Sequence, residues 1–449
     1  MSLPDVGKSS LFYSLVYWPV YSYFNLYYRK FTVTGRENVP ANKPVIFAGN
    51  HQNALMDALS ILFAARGKVA FLARADLFRK KSIARILFFF RILPAYRLRD
   101  GISSMGQNEA SFQRAADVLR NGTPLALFPE GNHSGFKRLR QLKKGICRIA
   151  FMAEEKAGYN LDLHIVPSGI DYSNYSDPGS QLLVNYGKPI RVADFIPLYR
   201  ENPQKALSAL RDKLSEALEP LMINIPDEEN YPLYMDICSL YRYDLLQQKN
   251  LPDSHPNRLL ADREIISALK LNLQDKHIEV EGFRQENSRY QELLSKYGLR
   301  DWLLSKKSAH IPKFLLAVLL ALLFLPLFLY GLLLNYLPFK LPMRFTRNVK
   351  DHVFHSSIHF GIGLFLFPLY YLILLLIFLL AFKAFLPSLL FLVSLPLSGI
   401  ATFHYYKHLL KLRGRFRLLK LRMSAKNLYT ELVNLRQQLI SNIHSIINI

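Results

Sequence analysis

The chain of 449 residues has little cysteine, little tryptophan and a deficit of acid: two Cys, two Trp, and 34 Asp plus Glu against 57 Lys plus Arg. Two cysteines, Cys147 and Cys238, exclude a disulfide framework and suit a reducing compartment. The missing acids leave a net charge of +23, which implies an anionic partner: nucleic acid, anionic lipid or a phosphorylated substrate. Glycine and proline, at 21 and 24 residues, are too scarce for a collagen-like chain. Half of all residues are hydrophobic and 13% are aromatic, so intrinsic disorder is also excluded. Met1 to Lys8 has no apolar core followed by a small-residue cleavage site, so it does not read as a secretory signal. A zinc site with His51, His133 and His164 as ligands is conceivable, but no compact His/Cys spacing supports it, and the expectation is no metal. No RNA- or DNA-binding signature accompanies the basic residues, so no nucleic-acid partner is expected.

Mean hydropathy is slightly positive although a fifth of the residues are charged, which points to a soluble part joined to a strongly apolar part. Residues 1–30 contain an aromatic stretch, Leu11 to Tyr28, ending in Arg29 and Lys30. Rings with an apolar body and a polar tip suit a lipid headgroup boundary, so this reads as an interfacial anchor helix. Over residues 31–225, short apolar runs alternate with helical patterns. The runs are Phe31–Thr34, Pro44–Ala48, Val69–Ala73, Ile92–Tyr96, Pro124–Phe128, His164–Ile170 and Leu182–Tyr186. That alternation predicts an α/β domain with a mixed, largely parallel sheet. Residues 226–310 read as a helical linker region, residues 311–405 as a transmembrane region, and residues 406–449 as a basic helical tail.

The apolar part is an uncharged run from Phe314 to Phe339 and a second from Phe360 to Phe403, broken only by Lys383. A bilayer-spanning helix needs about 20 apolar residues, so the second block divides into two segments with Lys383 and Pro387 at the bend. Basic residues flank every segment, and the positive-inside rule places all of these flanks on the cytoplasmic side with the α/β domain. Three simple crossings conflict with that. A first block that enters and returns at Pro326, followed by a hairpin, satisfies it.

Four constellations carry chemistry. In Gly49-Asn50-His51-Gln52-Asn53-Ala54-Leu55-Met56-Asp57, a histidine follows a strand and an acid follows the histidine. A neutral imidazole can take an alcohol's proton, and a carboxylate on its other nitrogen fixes the tautomer. Leu93 to Gly101 brings Arg97 and Arg99 to a strand end. Phe128-Pro129-Glu130-Gly131-Asn132-His133-Ser134 is trailed by Lys137, Arg138, Arg140, Lys143 and Lys144. There a carboxylate beside glycine can meet polyol hydroxyls, and the cations suit phosphate. The fourth is Val166-Pro167 within a strand.

Together these blocks resemble the glycerolipid acyltransferase family over residues 40–200. Asn50-His51 with Asp57 resembles its His–Asp block, Tyr96 to Gly101 its arginine block, Phe128 to Gly131 with Ser134 its Phe-Pro-Glu-Gly block, and Val166-Pro167 its fourth block. Two departures stand out. Five residues separate His51 from Asp57 where the family usually has four, and Asn132-His133 replaces the common Thr-Arg. At about 100° per residue neither spacing stacks the pair on an ideal helix, so the intervening segment must turn irregularly.

The resemblance implies an α/β acyltransferase domain and a membrane-bound enzyme of phospholipid biosynthesis. His51 would act as general base, oriented by Asp57, on a hydroxyl of the acceptor. Arg97 and Arg99 would hold the acceptor's phosphate, and Glu130, Gly131, Asn132, Ser134 and Lys144 complete the expected substrate-binding set. No cofactor is expected beyond acyl-CoA or acyl carrier protein as co-substrate. The partners are that thioester, a phosphorylated glycerol acceptor and membrane lipids, with the catalytic domain cytoplasmic. Lysophosphatidate is the first choice of acceptor, followed by glycerol 3-phosphate and then other lysophospholipids. Two rivals remain: a nucleophile at Ser134 or Cys147, although Cys147 in an apolar helical run reads as a buried thiol, and a membrane scaffold that has lost its chemistry.

Overall fold

Each apolar run of the first half becomes a strand because it is short, β-branched or aromatic in character, and bounded by turn residues. In a computed structural model that describes residues 11–96, 104–133, 135–274, 280–304 and 311–447, these strands are β1 (Lys30–Thr34), β2 (Val45–Gly49), β3 (Ala70–Arg74), β4 (Ile92–Ala95), β5 (Leu125–Leu127), β6 (His164–Tyr172), β7 (Gln181–Tyr186) and β8 (Ile190–Arg191). They form one sheet in the order β1-β7-β6-β2-β5-β3-β4, with β8 alongside the start of β6. Pairing is parallel throughout except where β7 and β8 run against β6. The sheet is therefore mixed and largely parallel, as expected.

The helices of this unit are α1 (Leu11–Tyr27), α2 (Ala54–Ala64), α3 (Lys81–Phe89), α4 (Ser104–Arg120), α5 (Gly145–Lys156), α6 (Ile196–Glu201) and α7 (Pro203–Leu218). Pro203 opens α7 and the Asn202 side chain accepts from the Lys205 amide at 3.0 Å, a helix start written in sequence. Buried Ala115, Leu119, Ile146, Ile149, Ala150, Leu207 and Leu210 from α4, α5 and α7 close on Ile46, Ala48, Leu125 and Ile165 of the sheet. Each fully buried Leu or Ile among them contributes about 1.5–3 kcal/mol. Phe47, one residue out of phase, meets Tyr186 instead. Three features escaped the sequence reading: α3, α6, and the strand β8 after Gly187.

α1 turns Phe24 and Tyr21 onto Phe63 of α2, and Phe12 and Tyr13 onto Phe89 of α3. Leu11, Leu15, Trp18 and Leu26 remain exposed. The chain divides into two compact units, one of Met1–Pro226 with Val349–Phe360, the other of Asp227–Asn348 with Gly361–Ile449.

In the second unit, α8 (Tyr231–Gln248), α9 (His255–Gln274), α10 (Val280–Lys296) and α15 (Lys426–Ile447) pack together. Arg436 of α15 meets Asp301 at 2.8 Å, and Arg242 holds Asp262. The apolar half comprises α11 (Ile311–Leu323), α12 (Leu325–Thr346), α13 (His355–Phe382) and α14 (Phe385–Ser424). Two stretches, His352–Phe382 and Phe385–Ser424, are long and apolar enough to cross a membrane, and α11 with α12 form a pair bent by 56°. The break between α13 and α14 falls at Lys383, whose φ is +49°. α14 runs unbroken for 40 residues, from the apolar segment into the basic one. On α12 the buried Asn335 amide nitrogen lies 3.0 Å from the Gly331 carbonyl and 3.3 Å from both the Leu395 carbonyl and Ser398 Oγ, while its oxygen accepts from Tyr371 Oη at 2.6 Å.

Candidate active site

β2 and β5 are parallel neighbours, and the His51 and Glu130 blocks leave their carboxyl ends side by side. Gly49 ends β2 where a Cβ would stand 2.8 Å from the Phe128 ring, so only glycine lets that ring close on the strand. Asn50, fully buried, accepts from the Ile170 amide at 2.6 Å and donates to the Ile170 carbonyl at 3.0 Å, tying the turn to β6. The His51 ring then lies stacked on Phe128, centroids 4.4 Å apart and 14° from parallel. Its Nδ1 is 2.9 Å from Asp57 Oδ2.

The long His–Asp spacing is absorbed at Ala54, which takes φ +40°, a left-handed value unusual for a residue with a Cβ. This turns the chain into α2 with Asp57 in its first helical turn, where the helix dipole favours a negative charge. Asp57 is fully buried, yet all of its oxygens are engaged. Oδ2 accepts from the amides of Gln52 and Asn53, both at 2.7 Å, as well as facing His51. Oδ1 accepts from Tyr172 Oη at 2.7 Å. With Oδ2 already accepting from two amides, the tautomer that suits this contact has His51 Nδ1 as the donor, which leaves Nε2 as an acceptor. The His51 side chain is 17% exposed against 0% for Asp57, so the base can reach solvent while its partner cannot. Tyr172, at the end of β6, was missed in the sequence because it meets Asp57 only through the register of distant strands.

Glu130 lies beside this pair. Its Oε1 accepts from the His51 amide at 3.0 Å, and its buried Oε2 has no hydrogen-bond partner among the described residues. Burial raises the Glu130 carboxyl to about 8, and the nearby Asp57 adds to the rise, while the His51 amide and Arg140 oppose it. Gly131 takes φ +70° and donates to the Phe128 carbonyl at 3.0 Å, the tight turn that glycine permits. Asn132 is exposed and accepts from the His133 amide. The His133 ring stands edge-on to His51 at 5.6 Å. Its basicity is lowered by burial and by His51, with Asp351 acting the other way. Lys144 immediately precedes α5, where its carbonyl accepts from Arg148. Arg97, Arg99 and Ser134 lie outside the described residues.

One reading changes, at Lys137, and one holds, at Cys147. Lys137, counted among cations suited to phosphate, is turned inward and paired with Asp171 at 2.6 Å, both side chains nearly buried. Cys147 is fully buried in α5, and burial pushes its thiol to about 12, which is no setting for a nucleophile. His164, at the opposite end of the β2–β6 pair from His51, meets the Asp162 carbonyl.

The segment Val349–Phe360 also belongs to this unit. Asp351 Oδ2 is 3.3 Å from His133 Nε2, the Phe354 ring meets His133 edge-on at 4.8 Å, and Ser356 Oγ donates to Asn53 Oδ1 at 2.6 Å. Nothing local in the sequence links these residues to His51.

The arrangement offers one imidazole, held by Asp57 and the Phe128 ring, on a side chain that remains partly exposed. Residues 30–171 match the family model described as Acyltransferase. The chain is 26% identical over 199 residues to the 1-acyl-sn-glycerol-3-phosphate acyltransferase of Borreliella burgdorferi, covering 43% of this chain and 74% of that one. It is 26% identical over 136 residues to glycerol-3-phosphate O-acyltransferase 2 of Saccharomyces cerevisiae, covering 30% of this chain but only 18% of the relative's length. A solved 1-acyl-sn-glycerophosphate acyltransferase of Thermotoga maritima aligns with a TM-score of 0.31 and 16% identity over 45% of this chain and 80% of that one. Residues 30–171 of this chain are an acyltransferase-family domain.

Proposed function

We propose that the chain transfers a fatty acyl group from an acyl thioester, acyl-CoA or acyl carrier protein, to a hydroxyl of lysophosphatidate. The observation that carries this reading is the His51–Asp57 pair, 2.9 Å apart with every Asp57 oxygen engaged. His51 Nε2 takes the proton of the acceptor hydroxyl as its oxygen forms a bond to the thioester carbonyl carbon. Collapse of the tetrahedral intermediate breaks the C–S bond, and the imidazolium returns its proton to the departing thiolate. Asp57 holds the imidazolium charge in between. Glu130 fixes the His51 amide and faces the acceptor, with Gly131, Asn132, Ser134 and Lys144 around it, while Arg97 and Arg99 take its phosphate. The α13 and α14 segments and the exposed apolar side of α1 keep the domain at the lipid surface, on the cytoplasmic side.

Glycerol 3-phosphate is the second reading, favoured by the match to the yeast glycerol-3-phosphate acyltransferase. The test is transfer of labelled acyl groups by purified protein to both acceptors with both donors. His51→Ala should lower turnover about 10²–10⁴-fold. Undiminished transfer by His51→Ala overturns the assignment, and wild-type protein inert with every pair returns the reading to a scaffold.

A further inference from the structure

The turn after α12 and the first turns of α13, Val349–Phe360, read in sequence as part of a basic topological flank, yet they are built into the His51 site. Ser356 and Asn53 are both fully buried, and the hydroxyl of one donates to the side-chain carbonyl of the other at 2.6 Å. The Asn53 side chain is held from its other end by donating to the Tyr175 carbonyl at 3.1 Å. Its own amide is one of the two that hold Asp57 Oδ2, the oxygen facing His51. A path of direct contacts thus runs from Ser356 through Asn53 and Asp57 to the imidazole. Asp351 makes a second path. Its Oδ1 accepts from the Val353 amide at 3.1 Å, which fixes the carboxylate on its own turn, and its Oδ2 faces His133 Nε2. The His133 ring meets His51 and Phe354 edge-on and Asp351 at Nε2, and Asp57 lies within electrostatic reach.

We propose that Val349–Phe360 is a positioning element of the His51 site, with Ser356 acting through Asn53 on Asp57, and Asp351 acting through His133 on the bound acceptor. Neither residue touches the reacting atoms. Ser356 keeps the turn between β2 and α2 in the one shape that presents Asp57 to His51, and Asp351 keeps the His133 ring upright beside the nucleophile's approach. The kinetic part rests on the acyl-transfer reading; the structural part does not. A fragment that ends before this segment would keep the family-matched residues and lose both contacts.

Two measurements on the full chain in detergent micelles test this. Hydrogen–deuterium exchange should show the Gln52 and Asn53 amides opening about fivefold faster in Ser356→Ala, the worth of one buried hydrogen bond, with wild-type rates restored in Ser356→Thr. Kinetics should show Ser356→Ala lowering kcat more than it raises the acceptor KM, and Asp351→Asn doing the reverse. Asp351→Glu should recover part of the Asp351→Asn loss. The double variant Asp351→Asn/His133→Gln should be no worse than His133→Gln alone, because the first residue acts only through the second. Unchanged exchange of the loop in Ser356→Ala overturns the proposal, as do losses from the Asp351 and His133 variants that simply multiply. Wild-type protein without acyl transfer would sink the enzymatic reading, while loop exchange still decides this one.

Discussion

Asp57→Asn is the sharpest probe of the proposed chemistry. The substitution keeps the shape of the side chain, so the amides of Gln52 and Asn53 can still donate to its oxygen and the loop can hold. What it removes is the charge beside His51, whose Nδ1 lies 2.9 Å away. Imidazolium forms only as the acceptor's proton moves, so the carboxylate favours the transition state over the ground state. Two unit charges in contact at an effective dielectric constant of about 20 are worth about 4 kcal/mol, which converts to roughly a thousandfold in rate. Complete burial of Asp57 leaves no water to substitute for it. The assay is kcat/KM for acyl transfer in wild type, Asp57→Asn, His51→Ala and the double variant, each checked for a normal unfolding transition. The pair should act as a unit, with the double variant no worse than His51→Ala. A folded Asp57→Asn retaining more than about a tenth of wild-type activity would show that the carboxylate does not serve the base.

Three other outcomes follow from the site. Burial raises the Glu130 carboxyl from 4.5 to about 8, so the protonated form is the one the fold favours. Its contribution is complete below about pH 4.5 and is lost as pH rises to about 8. Relative to Glu130→Gln, wild type should therefore lose stability across that window, by on the order of 5 kcal/mol, read as diverging unfolding midpoints. Parallel curves would refute it. Gly49→Ala puts a Cβ 2.8 Å from the Phe128 ring and so displaces the surface on which His51 stacks. Turnover should fall about 10–100-fold with the acceptor KM less affected, in a steady-state assay. Both cysteines are buried, so N-ethylmaleimide should leave the folded enzyme active and Cys147→Ala should remain competent. Rapid inactivation would revive the thiol mechanism.

What was legible in the sequence was local. Strands β1 to β7 each coincide with an apolar run. α3 was missed because Lys80, Lys81 and Arg85 interrupt its apolar residues, leaving Ile83 and Ile86 exposed on a helix that is wet on much of its surface. The pairing of His51 with Asp57 was readable as chemistry, but its geometry was not: the irregular turn foreseen there is a positive φ at Ala54, which no residue type advertises. Tyr172, Asn53, Ser356 and Asp351 were illegible for a common reason. Each earns its role from long-range register or packing, and periodicity in one segment carries no information about another. Lys137 shows the converse: a cation in a basic run that pairs with a buried acid instead of facing a ligand.

Asn335 has a consequence for how the oily segments assemble. Its carboxamide reaches the backbone of its own helix, the backbone and a hydroxyl of α14, and the phenol of α13 at once. Gly331 and Gly399 make room for it, since a Cβ at either would collide with Ser398 or with Asn335 itself. Sliding or rotating one helix past another would strand an amide among apolar side chains, a cost of about 1–2 kcal/mol that greasy contact alone never imposes. The three helices are thus keyed like a lock with one tooth: they have a single rotational setting, chosen by a polar side chain in the least polar part of the molecule.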